Sequence, residues 1–358
     1  MPYDEGLRPD APHIDRTVER LTALRAQLDA EVPDKNLETS LLLATWNIRE
    51  FDSPAYGARL DEAIYYIAEI ISRFDLVAVQ EVRADLVAFD RLMRALGSNW
   101  QYLVTDVTEG TRGNQERLAF VFDRRKVGFN GFTGQLVLPP IEQKQGNKII
   151  GYTPVAQIAR TPFFAGFGAG WTKWTLATVH ILYGKDDPND PDRVKEIDAV
   201  AAALRKRADD ANRRFDNLVL LGDFNIYANG DRTMQALTDE GWTVPEALQH
   251  IPGSNVPQDK KYDQIALRPQ LHWFEPTGRA GVFDYYKSVF RDEDQEMYAP
   301  DMGKAYTKTE KGKARDDAGK RTYYRTYWRT FQMSDHLPMW LELRIDYSSE
   351  YLEQQSHR

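Results

Sequence analysis

The sequence predicts a single α/β domain, a sandwich of mixed sheets covered by helices. From residue 41 to residue 97, apolar strands alternate with amphipathic helices. From about residue 100 to residue 181, short strands follow one another and are separated by turns, which indicates a largely antiparallel sheet. A chain of 358 residues, 42% of them hydrophobic, is long enough to bury the large core of such a sandwich. We find no repeat and no linker that would divide it.

Helical spacing of apolar residues predicts the helices. A polar leader, residues 1–38, contains one helix that ends before Pro33 and lies on the body of the protein. Its apolar stripe consists of Val18, Leu21, Leu24 and Leu28. A further helix ends at Gly97, a residue that commonly follows a helix C-terminus. The helices after the leader are predicted over residues 58–73, 85–96 and 192–212.

Short apolar runs between turn residues predict the strands. They lie at about residues 41–47, 75–80, 100–106, 117–122, 148–157, 161–165, 172–181, 217–221, 262–267 and 338–345. We therefore expect a leader at 1–38, a main domain at 39–347 that contains an insert near 296–332, and a C-terminal tail at 348–358.

Composition excludes several classes of site. The sequence contains no cysteine, so disulfides, thiolate metal sites and a cysteine nucleophile are excluded. No apolar run approaches the roughly 20 residues that span a bilayer, and the first residues lack the features of a signal peptide. We therefore expect a cytoplasmic protein. The formal net charge is -8, but the stretch 304–329 is basic, with nine lysines and arginines against three acidic residues.

Polar residues end several strands that are otherwise apolar. They are Asn47 in LLLATWNI, Glu81 in FDLVAVQEV, His180 in TVH, Asp223 and Asn225 in GDFN, and Asp335 and His336 in SDH. A core strand has no structural need for such a residue at its tip, and burying an unpaired carboxylate such as that of Glu81 is costly. The repetition predicts one site assembled from many strands.

These residue types suit phosphodiester hydrolysis, which needs a hard cation, an activated water and a proton donor for the leaving oxygen. Carboxylate and amide oxygens favour Mg²⁺ or Mn²⁺. His180 and His336 can handle protons, with Glu116 and Asp263 available to orient them. Each residue taken alone has a structural alternative, such as a turn former at Asp223 or a hydrogen-bonded core histidine at His180.

The motifs resemble those of the endonuclease/exonuclease/phosphatase superfamily, and most of all those of the pancreatic-type deoxyribonucleases. WNIRE, FDLVAVQEV, ERLAFVF, RTPF, TVH, GDFN, YDQI and SDH occur in the order typical of that superfamily, between about residues 41 and 345. The resemblance implies an α/β (α+β) fold, a four-layer sandwich of two packed mixed or antiparallel sheets with helices outside.

The resemblance also implies roles for individual residues. The catalytic group would be His180, His336, Asp223, Asn225, Glu116 and Asp263. The metal group would be Glu81, Asn47 and Asp335, holding Mg²⁺, with Mn²⁺ or Ca²⁺ as alternatives. The substrate phosphate would contact Arg160 and Arg83, although Arg83 could equally be a solvated residue at the start of a helix.

Three functions follow. The first is a divalent-metal-dependent nuclease that cleaves DNA or RNA by in-line attack of an activated water. The second is a phosphatase or phosphodiesterase for a small phosphorylated metabolite, an inositol phosphate or a phospholipid head group. The third is a non-enzymatic binding module. Nucleic acid is the expected partner, and no protein partner can be inferred.

Aromatic residues are interleaved with lysine and arginine in the insert, a composition that suits base stacking and phosphate binding. The aromatic residues are Tyr306, Tyr323, Tyr324, Tyr327, Trp328 and Phe331. The alternative for this segment is a flexible, solvated loop that ends in a β-hairpin.

Overall fold

The computed structural model describes residues 7, 11–51, 53, 58–109, 113–210, 217–269 and 273–356. It confirms the predicted fold class, because two sheets pack face to face and helices cover their outer faces. No helix in these ranges is both long enough and apolar enough to cross a bilayer.

Thirteen strands are found in the described residues. They are β1 (Ser40–Phe51), β2 (Leu76–Arg83), β3 (Trp100–Val104), β4 (Glu116–Asp123), β5 (Gly128–Gln135), β6 (Ile141–Gln145), β7 (Lys148–Thr153), β8 (Phe163–Ala169), β9 (Thr172–His180), β10 (Leu218–Asp223), β11 (Asp263–Arg268), β12 (Pro276–Val282) and β13 (Met339–Arg344). The first sheet has the order β12-β13-β1-β2-β4-β3, and the second has the order β11-β10-β9-β8-β5. Strands β6 and β7 form a separate hairpin.

The central strands are buried on both faces, because each sheet lies between the other sheet and a helical layer. Along β1, Leu41 and Leu43 belong to the core between the sheets, whereas Leu42 and Ala44 belong to the core beneath the outer helices. Successive strand residues point to opposite faces of a sheet, so this alternation sorts the side chains into two layers. In the sequence, a strand that is buried on both faces appears as a continuous, mainly apolar run, as in LLLATW.

The helices that pack on the sheets begin and end close to their predicted positions. They are α1 (Ile14–Glu31), α2 (Asp61–Ser72) and α3 (Val87–Leu96) on the first sheet, and α4 (Pro191–Ala208) on the second. The short helix α5 (Arg232–Thr238), which packs beside α4, is not among the predicted helices. The start of α4 is capped by Asp190, whose carboxylate accepts a hydrogen bond of 2.9 Å from the backbone of Arg193. In the leader helix Leu21, Leu24 and Leu28 are buried as predicted, but Val18 is about half exposed.

Some predicted elements differ from the structure. The strand predicted at 148–157 ends at Thr153 and pairs only with β6 as an exposed hairpin, so it adds nothing to either sheet. Strands β5 and β12 were not predicted, because GFNGFTGQ and PTGRAGV lack an apolar run. Both lie at sheet edges, where a strand needs fewer apolar side chains.

The insert is not simply a solvated loop, and most of its aromatic side chains are not exposed for base stacking. It forms short helical segments: α7 (Ala299–Met302), α8 (Lys304–Thr307), α9 (Asp317–Thr322), a π-helical turn at Tyr323–Trp328 and α10 (Arg329–Gln332). Outside the insert, the remaining short segments are α6 (Glu246–Gln249), two 3-10 turns at Tyr285–Lys287 and Asp292–Asp294, and α11 (Ser348–Ser356). Of the six aromatic residues of the insert that were candidates for stacking, five are buried and only Tyr327 is exposed, at 41%. The predicted stacking role is wrong for those five, because their rings are buried inside the protein. Tyr306, Tyr323, Tyr324 and Trp328 belong to the same apolar core as the inner faces of α1 and α2.

Candidate active site

Strand register brings three of the predicted catalytic residues into one row. In the second sheet Asp223 pairs with His180 across the parallel β9–β10 ladder, and with Asp263 across the antiparallel β10–β11 ladder. Residues in register lie at the same height in a sheet. Three separate motifs therefore meet at one end of the second sheet.

Asn47 joins this row from the first sheet. It follows Leu41, Leu43 and Thr45 on the side of β1 that faces the second sheet, because strand residues alternate between faces. Its Nδ2 donates hydrogen bonds to Glu81 Oε1 at 2.9 Å and to Asp223 Oδ2 at 3.0 Å. The two sheets thus meet through side chains at the end of the sandwich.

The first histidine pair is His180 with Glu116. The Nδ1 atom of His180 lies 2.9 Å from Glu116 Oε2, and Arg160 Nε lies 3.0 Å from the same oxygen. Burial and the charge of Arg160 both oppose protonation of His180, but Glu116 outweighs them and raises the pKa of the imidazole. The contact at Nδ1 leaves Nε2 directed toward Asp223, 3.5 Å from its Oδ2.

The second pair is His336 with Asp263. The Nδ1 atom of His336 lies 2.7 Å from Asp263 Oδ2, and the Asp263 side chain is completely buried. Burial disfavours the imidazolium, yet the charges of Asp263 and Asp223 raise the pKa of His336 well above its usual range. Its Nε2 lies 3.7 Å from Asp223 Oδ2. Both imidazoles therefore turn the same ring nitrogen toward one carboxylate oxygen.

Glu81 adopts a backbone conformation that is unusual for a residue other than glycine. Its φ angle is +61°, at a point where the pairing of β2 with β1 and with β4 is irregular. Its Oε2 accepts a 2.7 Å hydrogen bond from the backbone of Glu50, and its Oε1 lies 3.8 Å from His180 Nε2. Burial raises the pKa of Glu81, and the charges of Glu116 and Asp335 add to this effect although His180 opposes it. Such strain is typical of functional sites.

The residues present fit a hard divalent cation. Asn47 Oδ1 is buried, and within the described part of the chain no group donates a hydrogen bond to it. A buried acceptor without a donor is costly, and a cation beside it would remove that cost. Oxygen or nitrogen atoms of Glu81, Glu116 and His180 also lie within 4.8 Å of one another. Glu116 is already engaged by His180 and Arg160, so Asn47 and Glu81 are the better ligands.

The remaining predicted residues lie around this centre. Asn225 donates its backbone N–H to Asp223 Oδ1 at 2.9 Å, and its side chain donates to the carbonyl of Ile181. Asp335 is at the rim, with a side chain that is 49% exposed and 3.8 Å from Arg49. Arg83 lies at the end of β2, where Nη1 donates to the carbonyl of Asn114 at 3.2 Å.

The sequence analysis assigns no role to Ser334, whose hydroxyl links β1 to the loop that carries Asp335 and His336. Its Oγ donates to the carbonyl of Asn47 at 2.6 Å and accepts from the backbone N–H groups of Arg49 and His336. One hydroxyl thereby joins the end of β1 to the SDH loop. The position of Ser334 before Asp335 in the SDH motif is the sequence feature that could have indicated this role, because serine hydroxyls commonly bond to the backbone in turns.

The aromatic surroundings of His336 were also not predicted. The ring of Tyr262 lies 5.5 Å from the imidazole of His336, and the ring of Tyr227 lies 5.6 Å from Tyr262. Lys260 Nζ lies 3.9 Å from the centre of the Tyr227 ring. These residues lie within three positions of Asn225 or Asp263 in the chain, but only the fold brings the two rings and the lysine together.

The sequence profile of the Endonuclease/Exonuclease/phosphatase family matches residues 44–347, and the chain belongs to this family. A deoxyribonuclease of Thioalkalivibrio sp. (strain K90mix) is 28% identical over 252 residues, which are 68% of this chain and 62% of that relative. The match thus spans less than two thirds of that relative. Human deoxyribonuclease-1 is 27% identical over 70% of this chain and 83% of its own length.

A solved endonuclease/exonuclease/phosphatase structure from Bacteroides vulgatus has the same fold. It superposes with a TM-score of 0.53 at 14% sequence identity, covering 86% of this chain and all of the other. The superfamily resemblance drawn from the motifs is therefore confirmed, as is the fold that it implied.

Proposed function

We propose that this protein is a divalent-metal-dependent phosphodiesterase that cleaves nucleic acid, with DNA as the preferred substrate. The observation that carries the proposal is the arrangement of His180 and His336, each held by its own carboxylate and each turning Nε2 toward Asp223. Similarity to deoxyribonucleases supports the choice of substrate.

Asn47 and Glu81 would hold the cation, because the amide oxygen of Asn47 receives no hydrogen bond from the described residues and the carboxylate of Glu81 lies beside that amide. Mg²⁺ suits these oxygen ligands, and Mn²⁺ or Ca²⁺ could replace it. When bound, the cation neutralises charge on the phosphate. Asp335 at the rim adds negative charge to the same side of the site.

The side chains can divide the proton transfers between them. His336, oriented by Asp263, would accept a proton from the water as its oxygen attacks phosphorus. His180, oriented by Glu116, would give a proton to the oxygen that leaves on the opposite side as its bond to phosphorus breaks. Asp223 keeps the two imidazoles apart and facing one space. Asn225 and Arg160 would contact the phosphate oxygens.

Two measurements test this proposal. Hydrolysis of bis(p-nitrophenyl) phosphate and of duplex DNA should require Mg²⁺ and stop when EDTA is added. His180→Ala and His336→Ala should each lower kcat on both substrates by about 10²- to 10⁴-fold. His250→Ala, at an exposed position, is the matched control and should change nothing. Rates near wild type in either motif variant, with the fold intact by circular dichroism, would end the assignment.

Duplex DNA, single-stranded DNA, RNA and small phosphomonoesters should be compared in the same assay. Preference for a phosphomonoester over every nucleic acid would replace the nuclease proposal with the phosphatase alternative.

A further inference from the structure

The insert carries a basic groove that neither the catalytic residues nor the family assignment explains. The groove has a volume of about 890 Å³. Its lining includes Lys304, Lys308, Lys311, Lys313, Arg315 and Tyr327. Residues 304–325 contain eight lysines and arginines against three acidic residues, although the whole chain has a formal charge of -8. Positive charge is therefore concentrated on this face.

Four of these lysines have no acidic partner among the described residues. No described carboxylate oxygen lies within 4.0 Å of Nζ in Lys304, Lys308, Lys311 or Lys313, and all four side chains are exposed. Three other cations of the insert do have carboxylate partners: Lys320 lies near Asp317, and Arg325 and Arg329 both lie near Asp292. The unpaired lysines remain available to an external anion.

The segment that presents the lysines is ordered by its backbone. Thr309 N–H donates to the carbonyl of Lys313 at 2.9 Å, and Arg315 N–H donates to that of Thr307 at 2.8 Å. Gly312 closes the turn with a φ of +76°, a conformation that glycine adopts without strain. The Arg315 guanidinium stacks 4.8 Å from the ring centre of Tyr323, which is itself buried. The groove is thus preformed, and binding would not have to order it.

The groove connects to the catalytic centre through the π-helical turn. Tyr327 lines the groove, and the carbonyl of the preceding Thr326 accepts a 3.3 Å hydrogen bond from Arg49 Nη1. The other side of the Arg49 guanidinium faces Asp335 at 3.8 Å, next in sequence to His336. The turn that contributes Tyr327 to the groove is therefore bonded to Arg49, which lies beside Asp335 at the rim of the site.

We propose that this groove binds the sugar-phosphate backbone of the substrate strand beyond the scissile phosphate; the proposal rests on the proposed function. The contacts are to phosphates and not to bases, because the aromatic residues of the insert are buried apart from Tyr327. The groove does not resemble an amphipathic membrane-binding surface, because Tyr327 is the one exposed aromatic residue among the described residues of the insert. Purely electrostatic binding to an anionic membrane is an outcome of the test below. The groove gives affinity for long substrates without sequence preference.

The test uses the full chain with Lys308, Lys311 and Lys313 replaced by glutamine. We expect the salt dependence of DNA affinity, the slope of log K against log[salt], to fall by about 2 to 3, and affinity at moderate salt to weaken about tenfold or more. Hydrolysis of bis(p-nitrophenyl) phosphate should stay at the wild-type rate. The control is a variant with the same charge change at exposed Lys148, Lys195 and Lys206, which should keep the wild-type slope.

Each outcome decides between the two proposals. An unchanged slope in the groove variant, with bis(p-nitrophenyl) phosphate still cleaved, overturns the groove and leaves the phosphodiesterase intact. If the wild-type protein hydrolyses neither that ester nor DNA, the proposed function is overturned, and the salt dependence of DNA binding still tests the groove. Lysine-dependent binding to phosphatidylserine vesicles with an unchanged DNA slope would assign the groove to a membrane and refute this proposal.

Discussion

Replacing Asp263 by asparagine removes one negative charge from the centre of the proposed site and changes its shape very little. Asp263 is completely buried, and its Oδ2 lies 2.7 Å from His336 Nδ1. At that distance, with an effective dielectric constant of about 20, the attraction between carboxylate and imidazolium is about 6 kcal/mol before the desolvation of both groups is subtracted. This attraction offsets the effect of burial on His336.

Without the carboxylate, burial lowers the pKa of His336, and the asparagine amide can hold the wrong tautomer. Both effects weaken His336 as the proton acceptor. We expect kcat/KM to fall by about 10²- to 10⁴-fold, or about 3 to 5 kcal/mol. The wild-type rate should decline as the pH falls through the raised pKa of His336, because an imidazolium cannot accept a proton. In the variant this decline should move to lower pH.

The assay is the pH profile of bis(p-nitrophenyl) phosphate hydrolysis, with Asp239→Asn, at an exposed helix end, as the control for the loss of one charge. Melting temperatures should show that both variants are folded. A rate within about threefold of wild type and an acidic limb that does not move would refute the role assigned to Asp263.

Further predictions concern stability and the cation. Gly222→Ala should lower the free energy of unfolding by about 3 kcal/mol or more in urea, because the added Cβ would lie 2.1 Å from the carbonyl oxygen of Val179 and the φ angle of Gly222 is +136°. Gly230→Ala is the control and should be tolerated, because there is open space around Gly230. Asp123 is buried, which opposes its charge, but Arg125 and Lys35 lower its pKa to about 2. Its stabilisation, about 2 kcal/mol at neutral pH, should disappear as the pH falls from about 4 through 2; equal melting temperatures for wild type and Asp123→Asn at pH 7 would contradict this. Asn47→Leu should weaken Mn²⁺ binding about tenfold or more in calorimetry, and unchanged affinity would remove the amide from the cation site.

Much of the site could be predicted because its residues end strands whose apolar runs are visible in the sequence. Asp223 after LVLLG and Glu81 after LVAVQ are conspicuous, since a carboxylate at such a place needs a buried partner. The resemblance then paired Glu116 with His180 and Asp263 with His336, and the structure puts each pair within hydrogen-bonding distance. The roles assigned to these residues remain predictions.

Other features could not be read from the sequence. Asp335 lies at the rim beside Arg49, whose guanidinium donates hydrogen bonds to Thr326 and Thr330, 277 and 281 residues away in the chain. The burial of the aromatic residues of the insert has a related cause. Its aromatic residues are spaced as a binding surface could be, and only the presence of α1 and α2 beneath them determines that they form a core.

The amino-acid sequence by itself determined the alternation of elements, the buried strands and the identity of the polar residues at their ends, because these depend on local periodicity and on the cost of burying charge. Tertiary structure alone decided which of those ends meet. Register across β9, β10 and β11 aligns His180, Asp223 and Asp263, and the packing of the two sheets adds Asn47. Distances between side chains from distant strands follow from sheet pairing and layer packing, and no local pattern encodes them.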